Sequence, residues 1–307
     1  MKRIQRVALL ALTVVAVFLI LITRTGKPPD SLLNLRDFHY TIQQPSCGSL
    51  GVNPLVVILV HSAPGNLRKR QTIRETWASW RRHTRVVFLV GLSQGHQEAI
   101  EHEANVFGDV VQGSFVDSYR NLTYKHAMAL KWGSEECPQA RYVFKADDDI
   151  FINIPALCDF LEAPPSQHEI FCTHLLANPV LRNEASAWYV SPEEYPNETY
   201  PHYCSGCGII YPQSILDRLQ TAFKEIPFFW IDDVFVSGIA RQKASVAIHE
   251  IDRYVLQTPQ AGDIVSGKLS EGLLDGILYS NEISEHILRH LWHKTQLRAL
   301  DGQSTPP

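Results

Sequence analysis

The sequence predicts an α/β domain with a mainly parallel central sheet, preceded by an N-terminal transmembrane signal anchor. Three observations carry this expectation. Continuous β-rich apolar runs alternate with helical patterns from about residue 53, an acidic triplet follows one of these runs directly, and the first residues join a basic cluster to an uncharged apolar stretch. Strands covered on both faces read as unbroken hydrophobic runs, whereas a half-exposed strand alternates. Strand and helix in turn, at βαβ spacing, imply parallel pairing with right-handed crossovers.

The elements follow in order. Lys2, Arg3 and Arg6 precede VALLALTVVAVFLILIT, Val7–Thr23. At ~1.5 Å per residue this run covers roughly 25 Å, a short span suited to the thinner membranes of the secretory pathway. A cleaved signal peptide is the competing reading, but Thr23-Arg24-Thr25-Gly26-Lys27-Pro28-Pro29 has no A-x-A-like site. The basic cluster keeps residues 1–6 cytosolic and sends the remainder into the lumen. Residues 24–52, polar and carrying prolines at 28, 29 and 45, read as a stem. Residues 53–298 form the folded lumenal domain, and 299–307 a tail.

Within that domain LVVILVHS (Leu55–Ser62) is a buried strand, and Asn66–Trp80 a helix with Ile73, Trp77 and Trp80 on one side. RVVFLVG (Arg85–Gly91) is a second strand, Gln97–Phe107 a second helix, Asp109–Gln112 a short third strand, and Asn121–Glu135 a third helix. RYVFKADDD (Arg141–Asp149) is a fourth strand running into acid. Ligands of open parallel sheets bind beyond the carboxyl ends of the strands, where this cluster lies. The second half has aromatic and Pro-rich loops (Trp188–Tyr203), the segment GCGIIY, and helices over Gln213–Lys224 and about Asp233–Lys243. It continues the same domain and builds the far side of a cleft.

Composition narrows the function. A hydrophobic fraction of 45% and charged fraction of 20% are ordinary for a globular protein, and a net charge of -4 leaves no electrostatic footprint for nucleic acid. The six cysteines (Cys47, Cys137, Cys158, Cys172, Cys204, Cys207) suit an oxidising compartment, with their connectivity left open. Cys204-x-x-Cys207 lacks the second pair that a zinc site needs. Asn121-Leu122-Thr123 and Asn197-Glu198-Thr199 are N-glycosylation sequons.

The chemistry sits in two acidic groups. Asp147-Asp148-Asp149 follows the strand tip and precedes Ile150-Phe151-Ile152-Asn153. Adjacent carboxylates repel unless a cation or water screens them, and hard oxygen ligands suit Mg²⁺ or Mn²⁺ bridging the phosphates of a nucleotide. The bland alternative is a solvated acidic turn. Asp232-Asp233 follows Pro227-Phe228-Phe229-Trp230-Ile231 at a helix start. It is either a helix cap or a general base in an aromatic pocket. Arg68-Lys69-Arg70 and Arg74 lie near the start of the first helix, a place for phosphate or simply a solvated basic face.

Together these residues resemble the β-1,3-galactosyltransferase and β-1,3-N-acetylglucosaminyltransferase family, glycosyltransferase family 31. Arg70-Gln71-Thr72-Ile73-Arg74-Glu75-Thr76-Trp77 matches its R-x-x-I-R-x-T-W signature, and Phe88-Leu89-Val90-Gly91 the strand after it. Gly108-Asp109 and Asp117-Ser118-Tyr119-Arg120-Asn121-Leu122-Thr123-Tyr124-Lys125 match G-D…D-S-Y-x-N-L-T-x-K. Lys145-Ala146-Asp147-Asp148-Asp149-Ile150-Phe151-Ile152-Asn153 matches K-x-D-D-D-x-F-x-N. Tyr200-Pro201-His202-Tyr203-Cys204-Ser205-Gly206-Cys207-Gly208 resembles Y-P-x-Y-x-x-G-x-G, and Asp232-Asp233-Val234 the E/D-D-V motif.

The resemblance implies a GT-A fold, Golgi residence, and an inverting β-1,3-hexosyltransferase that uses a UDP-sugar, with Mn²⁺ or Mg²⁺, to extend a glycan on protein or lipid. It makes Asp149 the chief metal ligand with Asp147 beside it, and Asp233 the catalytic base. Arg70, Arg74, Lys145, Asp147 and Asp148 fall at the nucleotide. UDP-galactose is the preferred donor on the DSYRNLTYK and DDVFVSGIAR stretches, with UDP-GlcNAc as alternative. A glycan-binding relative with weakened turnover is the reading from another class. Three positions depart from the family pattern: Asn281 where a His is usual, His126 where N-L-T-x-K-T ends in Thr, and Ser237 where a Gly follows D-V-x-x. An amide oxygen is a weaker Mn²⁺ ligand than imidazole.

Overall fold

The computed structural model describes residues 31–173 and 177–303. The predicted cytosolic tail and the anchor over 7–23 lie outside the described residues. Among those described, no helix is long and apolar enough to cross a membrane.

In chain order the elements are β1 (Tyr40–Ile42), β2 (Val56–His61), α1 (Leu67–Glu75), β3 (Thr84–Leu92), α2 (Gln97–Phe107), β4 (Val110–Val116) and α3 (Leu122–Glu136). Then come β5 (Tyr142–Asp147), β6 (Phe151–Ile152), α4 (Ile154–Glu162), β7 (Glu169–Cys172), β8 (Gly208–Pro212), α5 (Leu216–Phe223) and a π-helix (Val234–Ala240). The chain closes with β9 (Ala247–Glu250), β10 (Val255–Leu256), α6 (Thr258–Val265), β11 (Tyr279–Ser280) and α7 (Glu285–Gln303).

The main sheet has the order β1-β4-β3-β2-β5-β8-β7-β9. Its middle, β4-β3-β2-β5, is parallel as predicted, with His61 of β2 opposite Leu89 on one side and Asp147 on the other. The expectation of a mainly parallel sheet needs correction outside that quartet: β1 and β8 run antiparallel to their quartet neighbours, β7 is antiparallel to β8, and only β9 restores a parallel pair. The sheet is mixed. Strand direction leaves no trace in periodicity, and β8 is buried along its whole length, so it reads like a parallel core strand.

Alternation along β2 divides the core. Val57 and Leu59 pack with Met128 and Trp132 of α3, Leu219 of α5 and Val236 of the π-helix. Val56, Ile58 and Val60 pack with Ile73 of α1, Ile100 of α2 and Leu157 of α4. The result is three layers, helix on sheet on helix. Gly133 lets α3 lie close on β5, since a Cβ there would come within 2.6 Å of Val143 Cγ2.

The predicted stem, 24–52, is also corrected. From residue 31 it belongs to the domain: Leu32 and Phe38 are buried, β1 pairs with β4, and Cys47 is disulfide-bonded to Cys137. These attachments are single, widely spaced residues, which leave no repeating pattern to read. Cys172 bonds to Cys204, so the C-x-x-C spacing is no redox pair, and Cys158 and Cys207 remain thiols. The predicted helix 66–80 breaks at Thr76 into α1 and a 3₁₀ turn, Trp77–Ser79. The predicted helix near 233–243 is a π-helix over most of its length.

Candidate active site

The acidic tip of β5 is three carboxylates with three different surroundings. Asp148 is 7% exposed and accepts from Ser62 Oγ, Asn66 Nδ2 and Lys69 Nζ, all at 2.8 Å. Three donors already meet its oxygens, so Asp148 anchors the β2–α1 loop to β5, a structural role beside the nucleotide contact expected of it. Asp149 is 39% exposed, with Lys69 Nζ 3.1 Å from Oδ2. Asp147 Oδ1 accepts from Lys145 Nζ at 2.7 Å. Burial, with the charges of Asp232 and Asp149, pushes the Asp147 carboxyl up to about 6 even against Lys145. A cluster this short of positive charge suits an added cation.

Among the described residues no three His, Cys, Asp or Glu converge as a preformed metal site. The donor set instead fits a cation held by one or two carboxylates and completed by substrate phosphates and water, the usual Mg²⁺ arrangement. The small sheet β10-β11-β6 brings the C-terminal stretch here: Ser280 pairs with Phe151, and Ile283 N donates to Asp149 O at 3.1 Å. Asn281 lies on that connection, its backbone O accepting from Thr258 Oγ1.

Lys145 joins the two acidic groups. Its ammonium, buried but held protonated by Asp147 and Asp232, also donates to Gly206 O. Gly206 in turn abuts Asp233: a Cβ there would sit 3.4 Å from Asp233 Cβ and 3.5 Å from Asp233 Oδ2. The structure therefore brings Asp147 and Asp233 to one floor, although 86 positions of sequence numbering separate them. Asp233 Oδ1 accepts from Val234 N at 2.8 Å, so it caps the π-helix as well. Burial and the neighbouring Asp232 charge push its carboxyl up to about 7. Ser237, one of the departures from the family pattern, is fully buried, donates to Asp233 O and accepts from Cys204 N.

A cavity of about 400 Å³ opens over Asp232 and Asp233, walled by Tyr119, Trp188, Tyr200, Tyr203 and Trp230. Arg182 holds the loop that carries Trp188 by donating to Val190 O, Tyr195 O and Asn197 O. Trp188 Nε1 donates to Tyr119 Oη, and Arg120 lies 4.0 Å over the Trp230 ring. Flat aromatic faces with a few polar groups suit a sugar ring, apolar on its C–H faces and polar at its rim. Trp188→Ala is expected to weaken the binding of a glycan roughly 3- to 10-fold by calorimetry, the worth of one aromatic contact. An unchanged affinity would remove Trp188 from the sugar-binding wall.

Arg70 and Arg74 are not brought to the acidic tip. Arg70 is wholly buried, and its donors go to Glu103, Ser62 Oγ, Ala63 O and Pro64 O. Arg74, at the far end of α1, bonds Glu103 and Asp109 and lies over the rings of Phe88 and Phe107. α1 descends from the carboxyl ends of the strands toward Asp109, which precedes β4, so its last turn points away from the cluster. Their predicted nucleotide contact is corrected: Arg70 shapes the β2–α1 loop from behind, and Arg74 ties α1 to α2 and β4. Lys69, the middle residue of the basic Arg68-Lys69-Arg70 group but not one of those expected at the nucleotide, is the basic group that reaches the carboxylates. The signal was position in the first turn of the helix after β2.

The galactosyltransferase family model matches residues 68–252. Beta-1,3-galactosyltransferase 5 of Homo sapiens is 29% identical over 256 residues, covering 81% of this chain and 82% of that protein. UDP-GalNAc:beta-1,3-N-acetylgalactosaminyltransferase 1 of Sus scrofa is 34% identical over 224 residues, 70% of this chain and 67% of that protein. Acetylgalactosaminyl-O-glycosyl-glycoprotein beta-1,3-N-acetylglucosaminyltransferase of Mus musculus is 34% identical over 217 residues, 66% of this chain and 55% of that protein.

Proposed function

This chain belongs to the galactosyltransferase family, and on that premise we propose that it is an inverting β-1,3-hexosyltransferase of GT-A type, moving galactose from UDP-galactose to a glycan hydroxyl. The observation that carries the proposal is the half-buried carboxyl of Asp233 at the junction of the aromatic cavity and the acid-tipped strand, raised toward neutrality there. A base with a pKa near the working pH combines a usable fraction of carboxylate with real proton affinity.

In this mechanism the acceptor sugar stacks in the aromatic cavity with its hydroxyl toward Asp233. As that oxygen attacks C1, its proton passes to the Asp233 carboxylate and the C1–O bond to UDP breaks on the opposite face. One displacement inverts the anomeric centre, with no covalent intermediate on the protein. Asp149, with Asp147, would hold Mn²⁺ or Mg²⁺, which neutralises charge on the departing diphosphate. Lys69 is placed to release Asp149 to a cation while keeping Asp148. Lys145 keeps Asp147 and the Gly206 backbone in register with the base.

Golgi residence as a single-pass type II protein, anchored through residues 7–23, goes with this function. The donor is the finer question. An N-acetylated hexose, UDP-GlcNAc in particular, is the second reading, since relatives at 34% identity are named for N-acetylhexosamine transfer. Incubating the purified chain with Mn²⁺, a panel of UDP-sugars and a glycan array separates the readings. Transfer from UDP-galactose supports the first, transfer from UDP-GlcNAc alone the second, and glycan binding without turnover overturns both.

Asp149→Ala is expected to weaken Mn²⁺-dependent UDP binding at least roughly tenfold, ~1.4 kcal/mol, by calorimetry. Its Tm should hold, because Asp149 is half-exposed and Lys69 keeps Asp148. Undiminished Mn²⁺-dependent affinity would refute the ligand assignment.

A further inference from the structure

We propose that His126, locked by Tyr211, is a positioning residue that holds Asp232 beside Asp233 and so sets the strength of the base. The proposal rests on the reading of Asp233 as that base. His126, in α3, is completely buried. Its Nδ1 lies 2.8 Å from Asp232 Oδ2 and its Nε2 2.9 Å from Tyr211 Oη on β8. Three elements far apart in sequence thus meet in one hydrogen-bonded chain directly behind the cavity.

With a neutral imidazole, only one arrangement of protons satisfies this chain. A carboxylate accepts and does not donate, so Nδ1 must carry the hydrogen. Nε2 then has a free lone pair, and the Tyr211 hydroxyl donates to it. Burial keeps the imidazole neutral, outweighing the pull of Asp232 toward protonation. Burial, with the Asp232 and Asp233 charges, keeps the Tyr211 phenol protonated. His61 packs edge-on against His126, ring centroids 5.4 Å apart, and is likewise held neutral by burial. Tyr211 thereby selects the tautomer that Asp232 requires, the role a second hydrogen bond commonly plays for histidine.

The effect passes to Asp233 through Asp232. Burial opposes ionisation of Asp232, yet the His126 hydrogen bond and the Lys145 charge hold its carboxyl well down. It is therefore a permanent negative charge one residue from the base. The charged and titratable groups that face Asp233 are Asp232 on its own segment and Lys145 and Asp147 on β5. Tyr119, Tyr200, Tyr203 and Tyr211 face it from the flanking loops and β8. Lys145 is the opposing charge in that set. With the His126 donor gone, Asp232 either takes up a proton or turns away, and both remove negative charge from beside Asp233. The base then becomes weaker and ionises at lower pH.

The test compares the full-length chain with His126→Thr, His126→Asn and Tyr211→Phe, measuring transfer at saturating UDP-sugar and Mn²⁺ across roughly pH 5 to 9. His126→Thr should lower kcat roughly tenfold or more and leave the donor KM unchanged. Its acid limb should move down by about half a unit or more. His126→Asn, whose amide N–H can take the place of Nδ1–H, should recover most of both. Tyr211→Phe removes only a hydroxyl, so it decides the matter even if His126→Thr fails to fold; it should move the limb the same way by less. An acid limb at its wild-type position in Tyr211→Phe or in folded His126→Thr overturns the proposal and makes His126 a packing residue. Asp233→Asn in parallel separates the two levels. Near-normal transfer there sinks the base reading and this proposal with it. Loss of transfer there, with the His126 and Tyr211 variants unchanged, sinks the positioning role alone.

Discussion

Asp233→Asn is expected to lower kcat by roughly 10²–10⁴, the usual worth of a positioned general base, while leaving the donor KM where it is. The amide keeps the cap on the π-helix, because Asn Oδ1 can accept from Val234 N as the carboxylate does. The fold should therefore persist, and its pH response supplies a second check. The Asp233 carboxyl ionises near 3.8 in the unfolded chain and is raised to about 7 in the fold. The folded state thus binds more protons over that window, and wild-type stability falls as pH rises through it. Asparagine has no such titration. The variant should match wild-type Tm at pH below the window and exceed it above pH 7. Transfer within a few-fold of wild type would leave Asp233 as a helix cap and nothing more; a variant that loses Tm above the window would contradict the burial argument.

Glu103→Ala is expected to cost about 3–5 kcal/mol, the penalty for stranding a buried charge by removing its partner. Glu103 is 3% exposed and takes Arg70 on both oxygens, at 2.8 and 2.7 Å, with Arg74 adding a third bond at 2.6 Å. Without it the Arg70 guanidinium, which has no exposure at all, keeps only neutral partners. Against the opposing effect of burial, these bonds hold the Glu103 carboxyl below its ordinary 4.5. The contribution is then present above that value and lost as pH falls below it. Chemical denaturation at neutral pH measures it directly, and a loss under about 1 kcal/mol would mean that water already reaches the cluster. A Glu103→Ala protein that remains folded at low temperature is expected still to bind UDP with Mn²⁺, because the arginine cluster is bonded to Glu103 and Asp109 and supports the β2–α1 loop from behind.

The legible parts of this protein were those with local cause. The parallel quartet was visible because β2 and β3 are continuous apolar runs buried on most of both faces, because β4 and β5 open on shorter ones, and because the helices between have apolar residues three and four apart. Helix α2 was bounded correctly at both ends, with Gly108 closing it in the left-handed conformation that glycine adopts freely. The acidic tip was legible as a place, since ligands gather where parallel strands end. What each acid does was not. Asp147, Asp148 and Asp149 are chemically identical in sequence and differ only in which side chains fold against them. The two arginines of R-x-x-I-R were misplaced for the same reason: their partner Glu103 lies about 30 positions away, on a helix whose own pattern gives no hint of it.

By itself the sequence determined the layered α/β plan, the position of the carboxylate cluster at a strand end, the candidate base before the π-helix, and the family pattern that links them. Those follow from short-range periodicity, from residue type, and from motif order. Tertiary structure alone decided that β1 and β8 run antiparallel to the quartet, that the chain from residue 31 is stitched to the domain, and that Lys145 with Gly206 joins the two acidic groups. It also decided that His126 meets Asp232. Each of these depends on which distant groups share a buried volume, and a hydrogen bond between residues a hundred positions apart leaves no mark on the local spacing of either one.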